Sequence, residues 1–241
     1  SRMGMLDGSR TDLIVLPEMF ATGFTMNAEA MAEPFDASPT LDWMRSQAQE
    51  RGCTITGSLA IADGGRRYNR LVWMTPEGVM THYDKRHLFR MGDEPRHYAA
   101  GAQRQVVEIK GVRILLSVCY DLRFPVWLRQ QPGAGQPFEY DALLCVANWP
   151  APRRHPWRTL LQARAIENLS YVIGVNRVGE DGNGLPYAGD SMVVDFKGEP
   201  LADHPPGEAF VETVTLSSDA LKTFRDKFPA WQDADTFHWG D

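Results

Sequence analysis

Cysteine is scarce in this chain and long apolar runs are absent. Only Cys53, Cys119 and Cys145 occur in 241 residues. An odd count without short spacings argues against a disulfide framework and against a thiolate zinc site. No apolar run approaches the roughly 18 residues of a membrane span, so no membrane partner is expected. The N-terminus lacks a basic-then-apolar leader pattern, which predicts a cytoplasmic protein. Positive charge is also in short supply. The net charge is −6, and basic residues gather nowhere beyond Arg153 and Arg154, so nucleic acid is not an expected partner. No histidine pair or carboxylate cluster has the spacing of a His-Glu-x-x-His site, and no metal is expected.

What is present is the composition of an ordinary globular protein, 43% hydrophobic and 23% charged, with length enough for a sizeable core. Apolar runs at 12–18, 53–62, 112–118, 141–147 and 171–176 predict strands. Residues 69–75 and 79–84 read as a hairpin, as do 105–110 and 112–118. Ser38-Pro39 followed by Leu41, Met44 and Ala48 and closed by Gly52 predicts a helix. A second helix is expected over 155–169 and a third over 217–227. Residues 191–196 are expected to pair with 209–216, and PGAGQP at 132–137 reads as a surface insertion. Strand–helix alternation with several hairpins predicts an α/β fold, and no linker divides the span 1–241 into two domains.

Three predicted strands end in chemistry. The run in RILLSVCYDLRFPVW stops at Cys119, the run in DLIVLPE delivers Glu18, and the strand in HYDKRHLFR ends at Lys85. In open α/β sheets ligands bind at the carboxyl ends of strands. A thiol attacking an unactivated amide needs its proton removed, the oxyanion stabilised and the leaving amine protonated. Glu18 can act as general base and then acid. Lys85 can face the oxyanion, and its charge favours the thiolate. The backbone N–H of Tyr120 is a natural second oxyanion donor. His87, two residues after Lys85, is the rival base, although a structural role suits it better. Cys53 and Cys145 read as core.

LPEMF around Glu18, YDKRHLF around Lys85 and VCYDLRFP around Cys119 occur in this order, followed by NWPAPR and ARAIEN. Together they resemble the Glu–Lys–Cys triad segments of the nitrilase superfamily of carbon–nitrogen hydrolases, most closely its bacterial omega-amidase branch. The resemblance extends to FPAWQDAD at 228–235. It implies an α-β-β-α sandwich, no cofactor, and dimers or larger homo-oligomers built by stacking sandwiches. It also implies hydrolysis of the terminal amide of α-keto acid amides such as 2-oxoglutaramate. Residue by residue, Glu18 matches the general base, Lys85 the oxyanion-side lysine and Cys119 the nucleophile. Glu94 matches a second glutamate of the family, with Asp93 its possible confusion. Family chains carry a strand and helix upstream of Leu-Pro-Glu. Only eleven residues precede Asp12 here, so that strand and most of that helix are expected to be missing.

A substrate of this branch carries a carboxylate far from its amide, and an acidic protein needs a local guanidinium to hold it. Arg153 is the first choice and Arg154 the second, with Trp149 as a wall for the acyl chain. Arg123 is expected to be occupied by Asp121 and the loop backbone, in a structural role. The triad does not by itself separate an omega-amidase from a nitrilase, an aliphatic amidase or an N-carbamoyl amidohydrolase. A catalytically idle scaffold protein is the reading from another class.

Overall fold

Local chemistry sets the helix at 39–51 and the strands around it. Ser38 accepts the amide of Leu41 at 3.0 Å, Pro39 takes the first turn, and Gly52 closes the helix at φ +62°. Leu41, Met44 and Ala48 point inward as their spacing predicts. Burying each leucine- or methionine-sized side chain contributes about 1.5–3 kcal/mol.

A computed structural model describes residues 11–131, 136–235 and 237. Residues 1–10 and most of the expected insertion at 132–137 lie outside them. The first half runs β1 (Leu13–Val15), α1 (Ala28–Met31), β2 (Glu33–Pro34), α2 (Pro39–Arg51), β3 (Thr54–Asp63), β4 (Arg66–Met74), β5 (Met80–Asp84) and α3 (Glu94–His97). Then come β6 (Val106–Ile109), β7 (Val112–Val118), α4 (Pro125–Leu128), β8 (Ala142–Ala147), α5 (Arg154–Asn168) and β9 (Tyr171–Asn176). The hairpin β10 (Val178–Glu180)–β11 (Pro186–Ala188), the strands β12 (Met192–Val194) and β13 (Pro200–Asp203), and α6 (Ser218–Lys227) follow.

Two sheets form. In the first, β3, β4 and β5 are successively antiparallel, while β1 and β2 run parallel along the other edge of β3. Consequently β1 and β5 point the same way and end at the same side. The second sheet has the order β13-β12-β9-β8-β7-β6, with β7, β8 and β9 parallel. Leu71, Trp73 and Tyr83 of the first sheet share one core with Leu116, Leu143 and Val146 of the second. On the outside, α2 packs against Ile55, Ile61, Val72 and Met74. Trp157, Leu161 and Ala165 of α5 and Leu221 of α6 cover the second sheet. A Cβ on Gly174 would lie 2.5 Å from Leu161, so glycine is what lets α5 sit this close to β9. The arrangement is the α-β-β-α sandwich that was expected.

One pairing differs from expectation. β12 pairs with β13 and β9, whereas residues 209–216 form no strand. Pro200 is the first residue of an edge strand, where its missing N–H costs no ladder bond.

Candidate active site

The parallel strands bring the three predicted side chains to one end of the sandwich. Glu18 follows β1 and is buried. Lys85 follows β5, its amide bonded to the Asn69 carbonyl at 3.0 Å and its own carbonyl to the Gly101 amide at 3.0 Å. A Cβ on Gly101 would lie 2.1 Å from the Asp84 carbonyl oxygen, so only glycine closes that loop beside Lys85. Cys119 ends β7 and opens a 3-10 turn, Cys119–Arg123, with φ +48°. Met19, next to Glu18, has φ +42°. Non-glycine residues in this region are strained by roughly 1–3 kcal/mol, and such strain concentrates at functional sites.

Lys85 Nζ lies 3.0 Å from Glu18 Oε1 and 2.9 Å from Glu94 Oε2, and all three side chains are fully buried. Glu94 therefore joins the cluster, and its neighbour Asp93 does not; Asp93 is exposed and meets Arg96. The Phe89 amide donates to Glu94 Oε2 at 2.6 Å. Glu18 Oε2 accepts the Asn148 amide at 2.7 Å, and the Asn148 side chain donates to the Glu18 carbonyl at 2.6 Å. Asn69 donates to Glu18 at 2.7 Å and to Glu94 at 3.2 Å. Sequence reasoning singled out neither asparagine for the site, since each stands at an ordinary polar position beside a strand's apolar residues.

These contacts decide the charges. Burial disfavours the Lys85 ammonium, but Glu18, Glu94 and Cys119 outweigh it and hold the group well above the usual lysine range. Burial pushes the Glu94 carboxyl up against the pull of Lys85. Burial first, and the Glu18 carboxylate second, push the Cys119 thiol well above its ordinary value, with Lys85 opposing them. Lys85 acts on the thiol in the direction expected of it, lowering what burial and Glu18 raise. Cys119 rests as a thiol and needs a base at the moment of attack.

Asp121 does not occupy Arg123. It accepts the Tyr83 hydroxyl at 2.8 Å, the His87 amide at 2.9 Å, the Val118 amide at 2.9 Å and pairs with His87 Nδ1 at 2.8 Å. It thereby ties the Lys85 arm to the Cys119 turn across the two sheets. His87, stacked on Phe124 with ring centroids 3.8 Å apart, is part of this tie. The Tyr120 ring meets Phe89 and Phe124 edge-on at 5.2 and 5.1 Å.

The arginines separate clearly. Arg154 is occupied, with Nε 3.0 Å and Nη2 2.6 Å from the buried Asp190 carboxylate. Its guanidinium is thus already paired with a carboxylate, unlike that of Arg153 among the described residues. Arg153 lies over the Phe89 ring at 5.3 Å and Arg123 over the Trp149 ring at 4.9 Å. Neither guanidinium meets a carboxylate among the described residues. Trp149 is almost wholly buried, packed on Trp157 with its indole N–H on the Arg153 carbonyl at 2.7 Å. It supports both arginines more than it walls a cleft. Cys53 and Cys145 are buried in the core. Among the described residues no group of three or more His, Cys, Asp or Glu side chains is placed to hold a metal ion. No helix there is long and apolar enough to cross a membrane.

A strained cysteine beside a buried lysine held by two glutamates, at the strand ends of an α-β-β-α sandwich, defines a class of hydrolases that cleave carbon–nitrogen bonds. The carbon–nitrogen hydrolase family profile matches residues 3–226, and the chain belongs to this family. It is 50% identical to the omega-amidase YafV of Escherichia coli over 94% of this chain and 85% of that one. It is 32% identical to the 2-oxoglutaramate amidase of Bacillus subtilis, covering 94% and 86%. A CN-hydrolase superfamily protein from Xanthomonas campestris, solved with an arsenic adduct in its active site, superposes with a TM-score of 0.94 at 48% identity. That match covers 99% of this chain and 91% of the other.

Proposed function

We propose that this enzyme is an omega-amidase that hydrolyses the terminal amide of α-keto acid amides, such as 2-oxoglutaramate and 2-oxosuccinamate, to the acid and ammonia. The buried Lys85 ammonium held by Glu18 and Glu94 at the Cys119 strand end supports the hydrolytic chemistry, and the 50% identity to the omega-amidase YafV of Escherichia coli carries the choice of substrate class. Glu18 takes the Cys119 proton as sulfur attacks the amide carbon. Lys85 and the Tyr120 N–H face the developing oxyanion, where a single such donor contributes about 3–4 kcal/mol. Collapse breaks the carbon–nitrogen bond, Glu18 returns the proton to the leaving nitrogen, and ammonia departs from a thioester on Cys119. Glu18 then draws a proton from water as the water oxygen attacks the thioester carbon; the carbon–sulfur bond breaks, Glu18 returns the proton to the Cys119 sulfur, and the acid is freed. Glu94 orients Lys85 throughout. No step calls for a cofactor.

Arg153 is the proposed carboxylate anchor, supported by its charge without a carboxylate partner and its seat on Phe89, whose amide caps Glu94. Arg123 on Trp149 is the second such cation. A cytoplasmic setting and assembly into a homodimer or larger homo-oligomer complete the proposal. Ile166, Phe228 and Phe237 remain exposed, and a second copy would cover them. Light scattering at micromolar concentration tests this, with a clean monomer the contrary result.

The functional test is ammonia release over a small panel. Turnover of 2-oxoglutaramate should exceed that of a nitrile, an N-carbamoyl amino acid and hexanamide. Preference for the nitrile or the carbamoyl compound would replace omega-amidase by that activity.

A further inference from the structure

We infer that Ser58 and Asn69 are positioning residues for this reaction: Ser58 locks the Asn69 amide in one orientation, and Asn69 then holds Glu18 and Glu94 in place around Lys85. The inference rests on the function proposed above.

The β3–β4 register pairs Ser58 with Leu71 and Ala60 with Asn69, so Ser58 and Asn69 are diagonal neighbours on one face of the sheet. Both are completely buried. The Met19 N–H lies 2.8 Å from Ser58 Oγ. A backbone N–H can only donate, so the serine oxygen accepts there. The single hydroxyl proton is then free for Asn69 Oδ1, 2.8 Å away. With its carbonyl fixed on Ser58, Asn69 turns its NH2 toward the site. One hydrogen serves Glu18 Oε1 at 2.7 Å and the other Glu94 Oε1 at 3.2 Å. The flipped amide would set a carbonyl oxygen against two carboxylates and leave the hydroxyl proton facing NH2.

Two carboxylates converge on one ammonium here, and like charges brought together repel. Lys85 and Asn69 are the two side chains that bridge both, one by charge and one by geometry. The same serine holds the strained backbone of Met19, directly after Glu18. One hydroxyl thus sets both the side chain and the following peptide of the proposed general base. Neither residue is placed to meet substrate in the mechanism, so the effect should fall on turnover.

The test is steady-state hydrolysis of 2-oxoglutaramate by Ser58→Ala, Ser58→Thr, Asn69→Asp and Cys119→Ala, with iodoacetamide labelling counting reactive thiols. Asn69→Asp removes the donor and adds a third carboxylate, so kcat should fall about 100-fold or more. Ser58→Ala frees the amide to flip and should lower kcat about tenfold, while KM moves less than about threefold in both variants. Ser58→Thr, which keeps the hydroxyl, should return kcat toward the wild-type value, and each folded variant except Cys119→Ala should keep one labelled Cys119. Unchanged kcat in Ser58→Ala, or a loss confined to KM, overturns the inference even if Asn69→Asp fails to fold. Activity in Cys119→Ala would instead overturn the proposed function itself.

Discussion

Two clusters of charge sit at opposite ends of β8, and they are balanced in opposite ways. Before its first residue, Asp141 receives Arg113 through Nε at 3.0 Å and Nη2 at 2.9 Å, and Arg225 through Nη1 at 2.7 Å. Past its last residue, Asn148 anchors Glu18 in a cluster where two carboxylates and a thiol share one lysine. At the Asp141 end cations are in excess. Burial opposes the carboxylate, but hydrogen bonds from the side chain and backbone of Arg113 and from Arg225 hold it below its ordinary value. At the Cys119 end negative groups are in excess, and burial pushes both Glu94 and Cys119 up. The first arrangement is satisfied and stabilises the fold. The second stores proton-transfer capacity, because a thiol held protonated beside a base is ready to lose its proton only when a carbonyl arrives.

If this contrast is right, substitutions at the two ends should fall on different properties. Cys119→Ala should remove about four decades of activity or more, since the covalent route is gone. Its melting temperature should stay near that of the wild type. Glu18→Gln and Lys85→Met should each cost about 3 kcal/mol or more of transition-state stabilisation. The double variant should be little worse than either single one, and additive losses would show that the two act separately.

Arg153→Ala should lower kcat/KM for 2-oxoglutaramate by about 30- to 1000-fold, or roughly 2–4 kcal/mol, and leave hexanamide nearly untouched. Arg154→Ala should spare both substrates. Equal losses on both substrates in Arg153→Ala would move the anchor elsewhere. At the satisfied end, Asp141→Asn should cost about 2–3 kcal/mol in denaturant unfolding while sparing kcat. The sign with pH follows from the depressed carboxyl. Its stabilisation is present above the unfolded value, about pH 4, and is lost as pH falls through the lower folded value. Wild type should therefore lose more stability than Asp141→Asn between about pH 4 and 2. Parallel acid curves would show that Asp141 is not the group concerned.

What the sequence reveals follows the same division. Glu18, Lys85 and Cys119 were legible because each closes a stretch that reads as a strand, and strands that point the same way bring their ends together. Helix α2 was legible from Ser38, Pro39 and Gly52. Asn69 was not, because in RRYNRLVWM it occupies a polar position that a solvated strand face would show equally well. It acquires meaning only when Ser58 from β3 and Glu94 at the start of α3 close on it. Arg154 reads like Arg153 until the fold sets Asp190, 36 residues away, against it. The pairing of β12 escaped because Pro200 reads as a turn, and only an edge position makes it harmless.

The central claim, that Cys119 carries the acyl group at the frustrated end of the sandwich, is tested most directly by trapping that group. Mixing the enzyme with 2-oxoglutaramate, quenching in acid and mapping the peptides by mass should place the 2-oxoglutaryl acyl group on the peptide bearing Cys119. Cys119→Ala should show neither the adduct nor ammonia release. An acyl group on Cys53, Cys145 or any other side chain, or undiminished ammonia release by Cys119→Ala, would contradict the account.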